Sequence, residues 1–434
     1  MASQAASRGF SLQSSGDRVE LRDHKLLLHA SIFVVAFFLV FLRRPDALLN
    51  AQFYAEDGTY FYANAYNLGW HSLLLPYGGY LSTLLRLVGF FAQLFPLSLA
   101  PLVMNVCAIA IQILPIHIFL SSRFSSIPFN TRLIGALLYL AIPNSFEIHA
   151  NTTNIQWHLA LAGCLIVLGR PDSRLIWRAI DFAVLALLIL DGLMSSFLIP
   201  IVLILWYVRD NPHYKSYLMA LIPGAFLQFA ILLLSNSRRP APNGASLLRL
   251  IDIVGGQLFF SSVLGLATSI QLFFRHNAVE IFLAALVSFV IGMCFTAYAL
   301  RHGPLQLKLF YMFAIMVITS ALIRPISSFD GMQNQWELLQ IPGCGNRYYF
   351  FPMIAFLATP IWILTTYASR PKLVRCAALI VVLLLPIGII RDWHYKPFED
   401  FHFQEYVAQF NRAAPGTHLV IPINPDWKME LTKR

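Results

Sequence analysis

Two neighbouring carboxylates, Glu56 and Asp57, are the residues of this sequence best suited to acid–base chemistry. They occur in the run Tyr54-Ala-Glu-Asp-Gly-Thr-Tyr60, directly after the first apolar stretch. If a helix begins at Gly58, both acids lie at its amino-terminal end, where the helix dipole favours an ionised carboxylate. Two interpretations follow: a catalytic base, or a cap in which Asp57 accepts bonds from the first helical amides.

A second dense polar run covers residues 143–158, between two apolar stretches. It contains a carboxylate, two imidazoles, an indole and two amides: Glu147, His149, Asn151, Asn154, Trp157 and His158. Loop solvation would explain the amides, but the whole set exceeds what a short connector requires, so these residues are candidates for substrate binding. Imidazole and carboxylate also suit Zn or Mn; the spacing is not diagnostic, and a divalent metal stays open.

The loop from Arg324 to Arg347 contains a third candidate group, formed by its two terminal arginines together with Tyr348; Asp330 lies in the same loop. Arginines at the outer ends of spans oppose the usual charge bias, and a phosphate or phospholipid head group would be a suitable partner. The alternative is interface anchoring, with snorkelling of the arginine side chain. The pair Arg43-Arg44 allows the same two interpretations.

The composition places these residues in a membrane protein. Of 434 residues, 58% are hydrophobic and only 12% charged, well outside the range of soluble domains. The net charge of +10 does not indicate nucleic-acid binding, because Lys and Arg are spread between apolar segments rather than clustered on one stripe. Four of the five cysteines fall in apolar segments and no CxxC motif occurs, which argues against a disulfide framework.

Eleven membrane spans are predicted, with the amino terminus in the cytoplasm and the carboxyl terminus outside. They cover residues 26–42, 98–120, 131–146, 154–170, 176–191, 196–208, 216–235, 279–300, 309–323, 348–367 and 376–390. This arrangement keeps the first loop (43–97) outside and the basic connectors inside, as charge bias requires. Residues 249–278 form either a hairpin of two short spans or an interfacial segment, and both choices preserve the orientation.

The stretch from Tyr80 to Phe95 is predicted to be an amphipathic helix in the membrane interface. Its polar residues recur at helical spacing along one stripe: Ser82, Arg86, Gly89 and Gln93. Apolar side chains occupy the opposite face, as in helices that lie along a lipid surface. The alternative is an ordinary span whose Arg86 faces protein.

Three segments describe the chain organisation: a cytoplasmic tail (1–25), an all-α polytopic membrane domain (26–390) and an extracytoplasmic carboxyl-terminal segment (391–434). In the last segment, apolar residues from Phe403 to Phe410 have helical spacing, and His418 to Ile423 is predicted to form a strand. This segment is expected to form a small cap over the outer face.

The order of an uncleaved first span, an outer loop opening with paired acids, and an interfacial helix after Leu75-Pro-Tyr-Gly-Gly-Tyr80 resembles the GT-C class of membrane glycosyltransferases. The similar members are lipid A aminoarabinose transferase and the protein O-mannosyltransferases. The likeness covers mainly residues 26–170. The chain is also similar to uncharacterised bacterial membrane proteins with an Ala-Glu-Asp-Gly loop and an Ile-Pro-Ile-Asn-Pro motif, here residues 421–425.

The resemblance implies transfer of a sugar, with inversion, from a polyprenyl-phosphate donor to a glycan, lipid or protein acceptor outside the bacterial inner membrane. It implies Asp57 or Glu56 as general base. Tyr80, Arg86 and the polar residues of 143–158 would then bind substrate, while Arg324, Arg347 and Tyr348 contact the donor phosphate. No nucleotide is expected. A lipid-linked saccharide flippase using Asp181 and Asp252, and a non-catalytic component of polysaccharide assembly, are the alternatives.

Overall fold

A computed structural model describes residues 15–172, 174–235, 242–326, 333–366 and 370–434. Positions 1–14 of the predicted tail, residues 236–241 between two predicted spans, and Asp330 lie outside the described residues. The first half of the chain forms α1 Ser15–Arg43, α2 Asp46–Leu49, a π-helical turn Asp57–Tyr62, α3 Ala63–Leu68, α4 Thr83–Ala92, α5 Ala100–Leu120, α6 Phe129–Ala141, α7 Ile155–Leu168, α8 Leu175–Ile189, α9 Leu198–Arg209 and α10 Pro212–Leu234.

The second half continues with helices and ends in a two-stranded sheet. Its elements are α11 Leu247–Ile251, a π-helical segment Asp252–Phe260, α12 Ser261–Leu264, α13 Leu266–Arg275, α14 Ala278–His302, α15 Leu305–Ile323, α16 Gln335–Leu339, α17 Asn346–Thr365, α18 Lys372–Arg391, α19 Phe403–Arg412, β1 His418–Ile423 and β2 Trp427–Thr432. Short 3₁₀ turns cover Gly69–Leu74, Leu97–Leu99, Ser122–Phe124, Phe146–Ile148, Thr152–Asn154 and Leu193–Phe197.

The helices form an integral membrane protein of the all-α polytopic class. Among the described residues, seven helices are long and apolar enough to cross a membrane. In this set α17 is 72% buried and forms the centre of the bundle, whereas α14 is only 17% buried and exposes apolar side chains on the outside. Apolar surface of that extent needs lipid around it. The count of eleven spans stays a prediction, because the remaining apolar helices are shorter.

Basic residues predicted to be cytoplasmic gather at one end of the bundle, called the basic end. The Arg123 guanidinium makes a buried 2.8 Å ion pair with Asp181. The Arg132 side chain donates to the Leu120 carbonyl at 2.8 Å, and the Arg209 side chain donates to the Gly169 carbonyl. These bonds tie the connectors of neighbouring helices together. The side of the membrane on which this end lies stays a prediction.

The opposite end, called the site end, carries the first loop, the polar run of 143–158 and the carboxyl-terminal cap. Helical residues 247–264 also lie here, although their length and composition alone would permit a span. The Arg249 side chain bonds Glu337 near the start of this stretch, and the Gln257 side chain bonds the Gln340 carbonyl in its middle. At its far end, the Leu266 amide donates to Asp392. The Phe259 ring of the same stretch also packs against Gly292 and Phe356, in the middle of α14 and α17, so both alternatives for this segment stay predictions.

Helix α4 corrects the sequence-based orientation of the interfacial segment. It has ten residues, too few for a span, but its polar stripe faces protein: Arg86 is 2% exposed and Gly89 is buried. Leu84, Leu85 and Val88, predicted to enter lipid, are buried as well. The exposed apolar stripe consists of Leu87, Phe90, Phe91 and Leu94. Gly89 explains the packing, because a Cβ there would lie 2.6 Å from the Phe61 carbonyl oxygen.

The carboxyl-terminal cap follows α18 and packs against the first loop. Helix α19 buries Phe403, Val407 and Phe410, as their helical spacing predicted. The strand predicted at His418–Ile423 is present and pairs with β2 in antiparallel register. The Phe53 and Phe403 rings meet edge to face at 5.5 Å, which joins the cap to the loop through apolar contact.

The Asp392 carboxylate fastens three segments of the site end together. Its oxygens accept from the backbone amides of Asn144 at 2.8 Å, Leu266 at 2.6 Å and Ala267 at 3.0 Å. The Leu266 and Ala267 amides belong to the first turn of α13, where backbone amides have no acceptor within the helix. One carboxylate therefore caps a helix and holds the polar run beside it.

Replacing Asp392 by Ala is expected to lower stability by roughly 2–4 kcal/mol, because three amides lose a charged acceptor in a buried place. Thermal unfolding of the detergent-solubilised protein measures the change. The exposed Asp400→Ala variant loses surface bonds to the Asn50 side chain and the His402 amide and is the control, with an effect of about 1 kcal/mol or less. Equal unfolding temperatures for the two variants would contradict this role of Asp392.

Candidate functional site

The acid pair lies where an extended segment enters a helical turn. Helical structure begins at Asp57, one residue before the expected start. Gly58 is needed for close packing, since a Cβ would lie 2.7 Å from the Ile423 side chain and 3.1 Å from Phe53. The lack of a side chain at Gly58 therefore lets the segment that carries Glu56 and Asp57 pack directly against Ile423 of the cap.

Asp57 is almost completely enclosed, with 1% of its surface exposed. Its carboxylate accepts from the Thr153 hydroxyl at 2.7 Å and from the Thr152 amide at 3.2 Å. The simple-cap interpretation therefore does not describe it, because these donors belong to the second polar run rather than to its own helix. Burial raises the pKa of Asp57 to about 7, although the bonds from Thr153 and Thr152 oppose the rise.

Glu56 is the more open carboxylate of the pair. It is half-buried and accepts a 2.8 Å bond from the Tyr77 hydroxyl. Burial raises the pKa of Tyr77, and the Glu56 charge and this hydrogen bond raise it further. Tyr77 therefore stays a neutral donor that holds the carboxylate in place. Tyr60 packs against the Tyr77 ring at 4.7 Å.

Glu147 and Arg347 form an ion pair with two bonds, joining residues that are 200 positions apart. The Arg347 amide donates to one Glu147 oxygen at 3.0 Å, and its guanidinium donates to the other oxygen. Glu147 thus occupies an anion site at the start of α17, where a backbone amide and a guanidinium converge. The Asn151 and Asn154 side chains donate to the Glu147 carbonyl at 2.7 and 2.8 Å and fix its backbone.

The Tyr54 ring connects the two pairs of charged residues. Burial raises the pKa of Tyr54, the charges of Glu147 and Glu56 raise it further, and Arg44 and Arg347 lower it. Hydrogen bonds make the same connection, because the Thr153 hydroxyl contacts the Asp57 carboxylate and the Tyr54 carbonyl, and the next residue, Asn154, bonds the Glu147 carbonyl. The structure therefore brings the first loop, the second polar run and the start of α17 into one acidic and basic cluster.

The two imidazoles lie in the interior, away from this cluster. His149 Nδ1 is 3.1 Å from the Gln112 side-chain nitrogen and Nε2 is 3.0 Å from the Val40 carbonyl. Burial, and next the charges of Arg43 and Arg44, hold the pKa of His149 well below its usual range. His158 is engaged in the same way, since Nδ1 contacts the Tyr139 hydroxyl and Nε2 the Ile148 carbonyl, both at 2.8 Å. We assign both a structural role.

Of the other predicted binding residues, Tyr348 and Trp157 lie beside Arg347, whereas the contacts of Tyr80 and Arg86 are with other residues. Trp157 packs against the Tyr348 ring, and its indole nitrogen is buried without a hydrogen-bond partner. Tyr80 lies against Gly192, where a Cβ would be 3.3 Å from the Tyr80 ring. Arg86 is buried with two unpartnered nitrogens and lies over the Phe61 ring. Tyr348 accepts a 3.1 Å bond from Arg347.

Arg324 lies at the end of α15 and is exposed. Arg43 and Arg44, in contrast, are not placed to bind a phosphate. Both are nearly fully buried, and their guanidiniums donate to backbone carbonyls of Leu140 and His149, among others. Their role is to hold loops together.

Sequence reasoning assigned no role to Tyr77 and Thr153, which bind the acid pair. Tyr77 lies inside the Leu75–Tyr80 turn that carried the resemblance, so the turn itself was the available signal. Thr153 had no such signal, because its bond to Asp57 joins residues 96 positions apart. Among the described residues, no group of three or more His, Cys, Asp or Glu side chains is arranged to hold a metal ion.

Comparisons with known proteins include a weak structural likeness. No protein-family model matches the chain, and no curated protein matches it. The structure is similar to that of the archaeal oligosaccharyltransferase AglB from Archaeoglobus fulgidus in complex with an inhibitory peptide and a dolichol-phosphate, with a TM-score of 0.39 and 14% identity. The match covers 90% of this chain but 58% of that one. At these values the likeness establishes neither a common family nor a common activity.

Asp57 predicts a dependence of stability on pH. Its pKa of about 7 lies above the ordinary value of 3.8, so the native state binds the proton more tightly than the unfolded chain. This stabilisation is complete below about pH 4 and is lost as the pH rises through about 7. Between about pH 5 and about pH 8, the unfolding temperature of the wild type should fall more than that of Asp57→Asn. Parallel profiles would contradict the raised pKa.

Proposed function

We propose that this protein is a GT-C-type membrane glycosyltransferase that moves a sugar from a polyprenyl-phosphate donor to a glycan, lipid or protein acceptor. The observation that carries the proposal is the cluster of Glu56, Asp57, Glu147 and Arg347, linked through Thr153 and Asn154 at one end of an apolar helical bundle. Carboxylates suit proton removal, a guanidinium suits a phosphate, and the surrounding lipid suits a polyprenyl chain. The sequence resemblance supports the same assignment independently.

Glu56 is the proposed general base, since it is the carboxylate that is open to an acceptor. An acceptor oxygen attacks the anomeric carbon, the bond from that carbon to the phosphate oxygen breaks, and the acceptor proton passes to Glu56. Attack opposite the leaving phosphate inverts the anomeric centre. Arg324 offsets the charge on the departing polyprenyl phosphate, as preorganised cations do in transition states. Arg347, which is paired with Glu147, holds the start of α17 against the second polar run.

Asp57 supports Glu56 from the interior. Its bonds to Thr152 and Thr153 lock the acid segment onto the second polar run. With a pKa of about 7 it also exchanges a proton near neutral pH, so it is the second candidate for the general base. Trp157, Tyr348, Tyr80, Arg86, Asn151, Asn154 and Glu147 are the proposed substrate-contacting or substrate-orienting residues. His149 and His158 are left out because their ring nitrogens are occupied.

The proposed location is a bacterial inner membrane, with the site end and carboxyl terminus outside and the amino terminus in the cytoplasm. Polyprenyl-linked sugars used for the cell envelope are available there. A flippase is less well supported, because Asp181 is neutralised by Arg123 and Asp252 bonds the Gln340 side chain. A non-catalytic protein of polysaccharide assembly would keep its function when Glu56 and Asp57 are substituted, whereas the proposed enzyme would lose it.

The Glu56→Gln variant is expected to lose transfer activity by about 10² to 10⁴-fold, because the amide cannot accept the proton. Turnover of a panel of polyprenyl-phosphate-linked hexoses by purified protein in lipid nanodiscs measures the loss. Glu405→Gln, an exposed change in the cap, is the matched control and should retain full activity. Wild-type turnover in both Glu56→Gln and Asp57→Asn would eliminate the proposal.

Arg324→Gln is expected to raise the KM for the polyprenyl-phosphate donor by about tenfold, with kcat changed less. Arg324 is exposed, so its removal does not disturb the fold. The control is Arg412→Gln on the exposed side of α19, which lies outside the cluster. An unchanged KM would remove Arg324 from the donor site.

A further inference from the structure

The carboxyl-terminal cap bonds the backbone next to the acid pair. The Ala55 amide donates to the Asn424 carbonyl at 2.6 Å, and Tyr54 and Asn424 form an isolated parallel bridge. The Thr59 hydroxyl donates to the Lys428 carbonyl at 2.8 Å. The cap thus bonds the chain on both sides of Glu56 and Asp57. These bonds involve neither of the two carboxylates.

Ala55 needs such a restraint because of its backbone conformation. Its φ is 46°, in the left-handed region that residues with a Cβ rarely adopt. A conformation of this kind persists only when surrounding contacts impose it, and such residues are concentrated at functional sites. The short bond to Asn424 fixes the Ala55 amide, and the Ala55 carbonyl accepts from the Thr59 amide at 3.3 Å. Of these two bonds, the one to Asn424 is the one that comes from the cap.

Asn424 is itself held firmly in the cap. Its side-chain oxygen accepts from the Glu399 amide at 2.9 Å, and its side-chain nitrogen donates to the Glu399 carbonyl at 2.8 Å. The neighbouring Phe398 amide donates to Asp46 at 3.0 Å, and the Phe398 ring stacks on Tyr54 at 4.9 Å. The Asn424 side chain therefore fixes the position of the carbonyl that receives the Ala55 bond.

We infer that the carboxyl-terminal cap is a positioning element of the catalytic segment, and that Asn424 is the positioning residue through which it fixes Ala55 and aims Glu56 and Asp57. This inference rests on the proposed function for its catalytic part, while the restraint on Ala55 stands on the contacts alone. It gives the Ile-Pro-Ile-Asn-Pro motif at 421–425 a physical role: β1 carries Asn424 to the acid pair.

Asn424→Ala removes both bonds to Glu399, and Asn424→Asp keeps the acceptor for the Glu399 amide. Asn411→Ala makes the same chemical change on the exposed face of α19 and is the matched control. Hydrogen–deuterium exchange of peptides covering 53–60 in the full-length protein is measured for all four proteins. Transfer from the hexose panel is measured in parallel, with kcat and KM separated.

We expect exchange near Ala55 to be roughly tenfold faster in Asn424→Ala, close to wild type in Asn411→Ala and intermediate in Asn424→Asp. The kcat should fall about 10-fold to 100-fold with little change in donor KM, because misplaced reacting groups lose rate. Faster exchange throughout the cap as well as in 53–60 would reveal unfolding of the cap, and a kcat in Asn424→Asp no better than in Asn424→Ala would then overturn the inference.

Two other outcomes also decide it. Exchange of 53–60 that equals the wild type in Asn424→Ala would overturn the restraint, and faster exchange with a normal kcat would overturn the catalytic positioning. If the wild type transfers no sugar, the proposed function is refuted, but the restraint on Ala55 is not. The exchange measurement then still supports or refutes the hold of Asn424 on Ala55.

Discussion

The site end of this protein depends on the burial of two adjacent guanidiniums, Arg43 and Arg44. Both lie at the end of the first helix, and removal of such charges from water is costly unless donors find acceptors. Their terminal nitrogens donate to backbone carbonyls in two parts of the chain, including those of Ile142, His149 and Asp392, while their Nε atoms have no partner. The Tyr395 ring covers both charges. Satisfying two cations therefore draws the second polar run and the cap onto the first helix.

That assembly creates the conditions for the proposed chemistry. Once the loops are drawn together, Asp57 loses contact with water and its pKa rises to about 7. Glu147 and Arg347 neutralise each other, while Glu56 keeps one open side and a single strong donor, Tyr77. Neighbouring acids thus have different environments, which is how proteins separate the roles of paired carboxylates.

Much of the fold could be predicted from local patterns. Apolar stretches located the long helices, period-3.6 spacing located α19, and the apolar run after the Pro415-Gly416 turn located β1, because these signals depend only on nearby residues. The interfacial helix shows the limit of such patterns. Its stripe of Arg86 and Gly89 was recognised, but hydropathy does not say whether a polar stripe faces water or protein. Close approach of Phe61 to Gly89 decided that.

Composition and the position of charges relative to apolar segments can be read along the chain. They are enough to identify a polytopic membrane protein and to single out Glu56, Asp57, Glu147 and Arg347. Tertiary structure decided which of them meet, and that His149 and His158 are interior. The reason is distance along the chain: Glu147 and Arg347 are 200 residues apart, and no local pattern encodes a contact made only after helices pack.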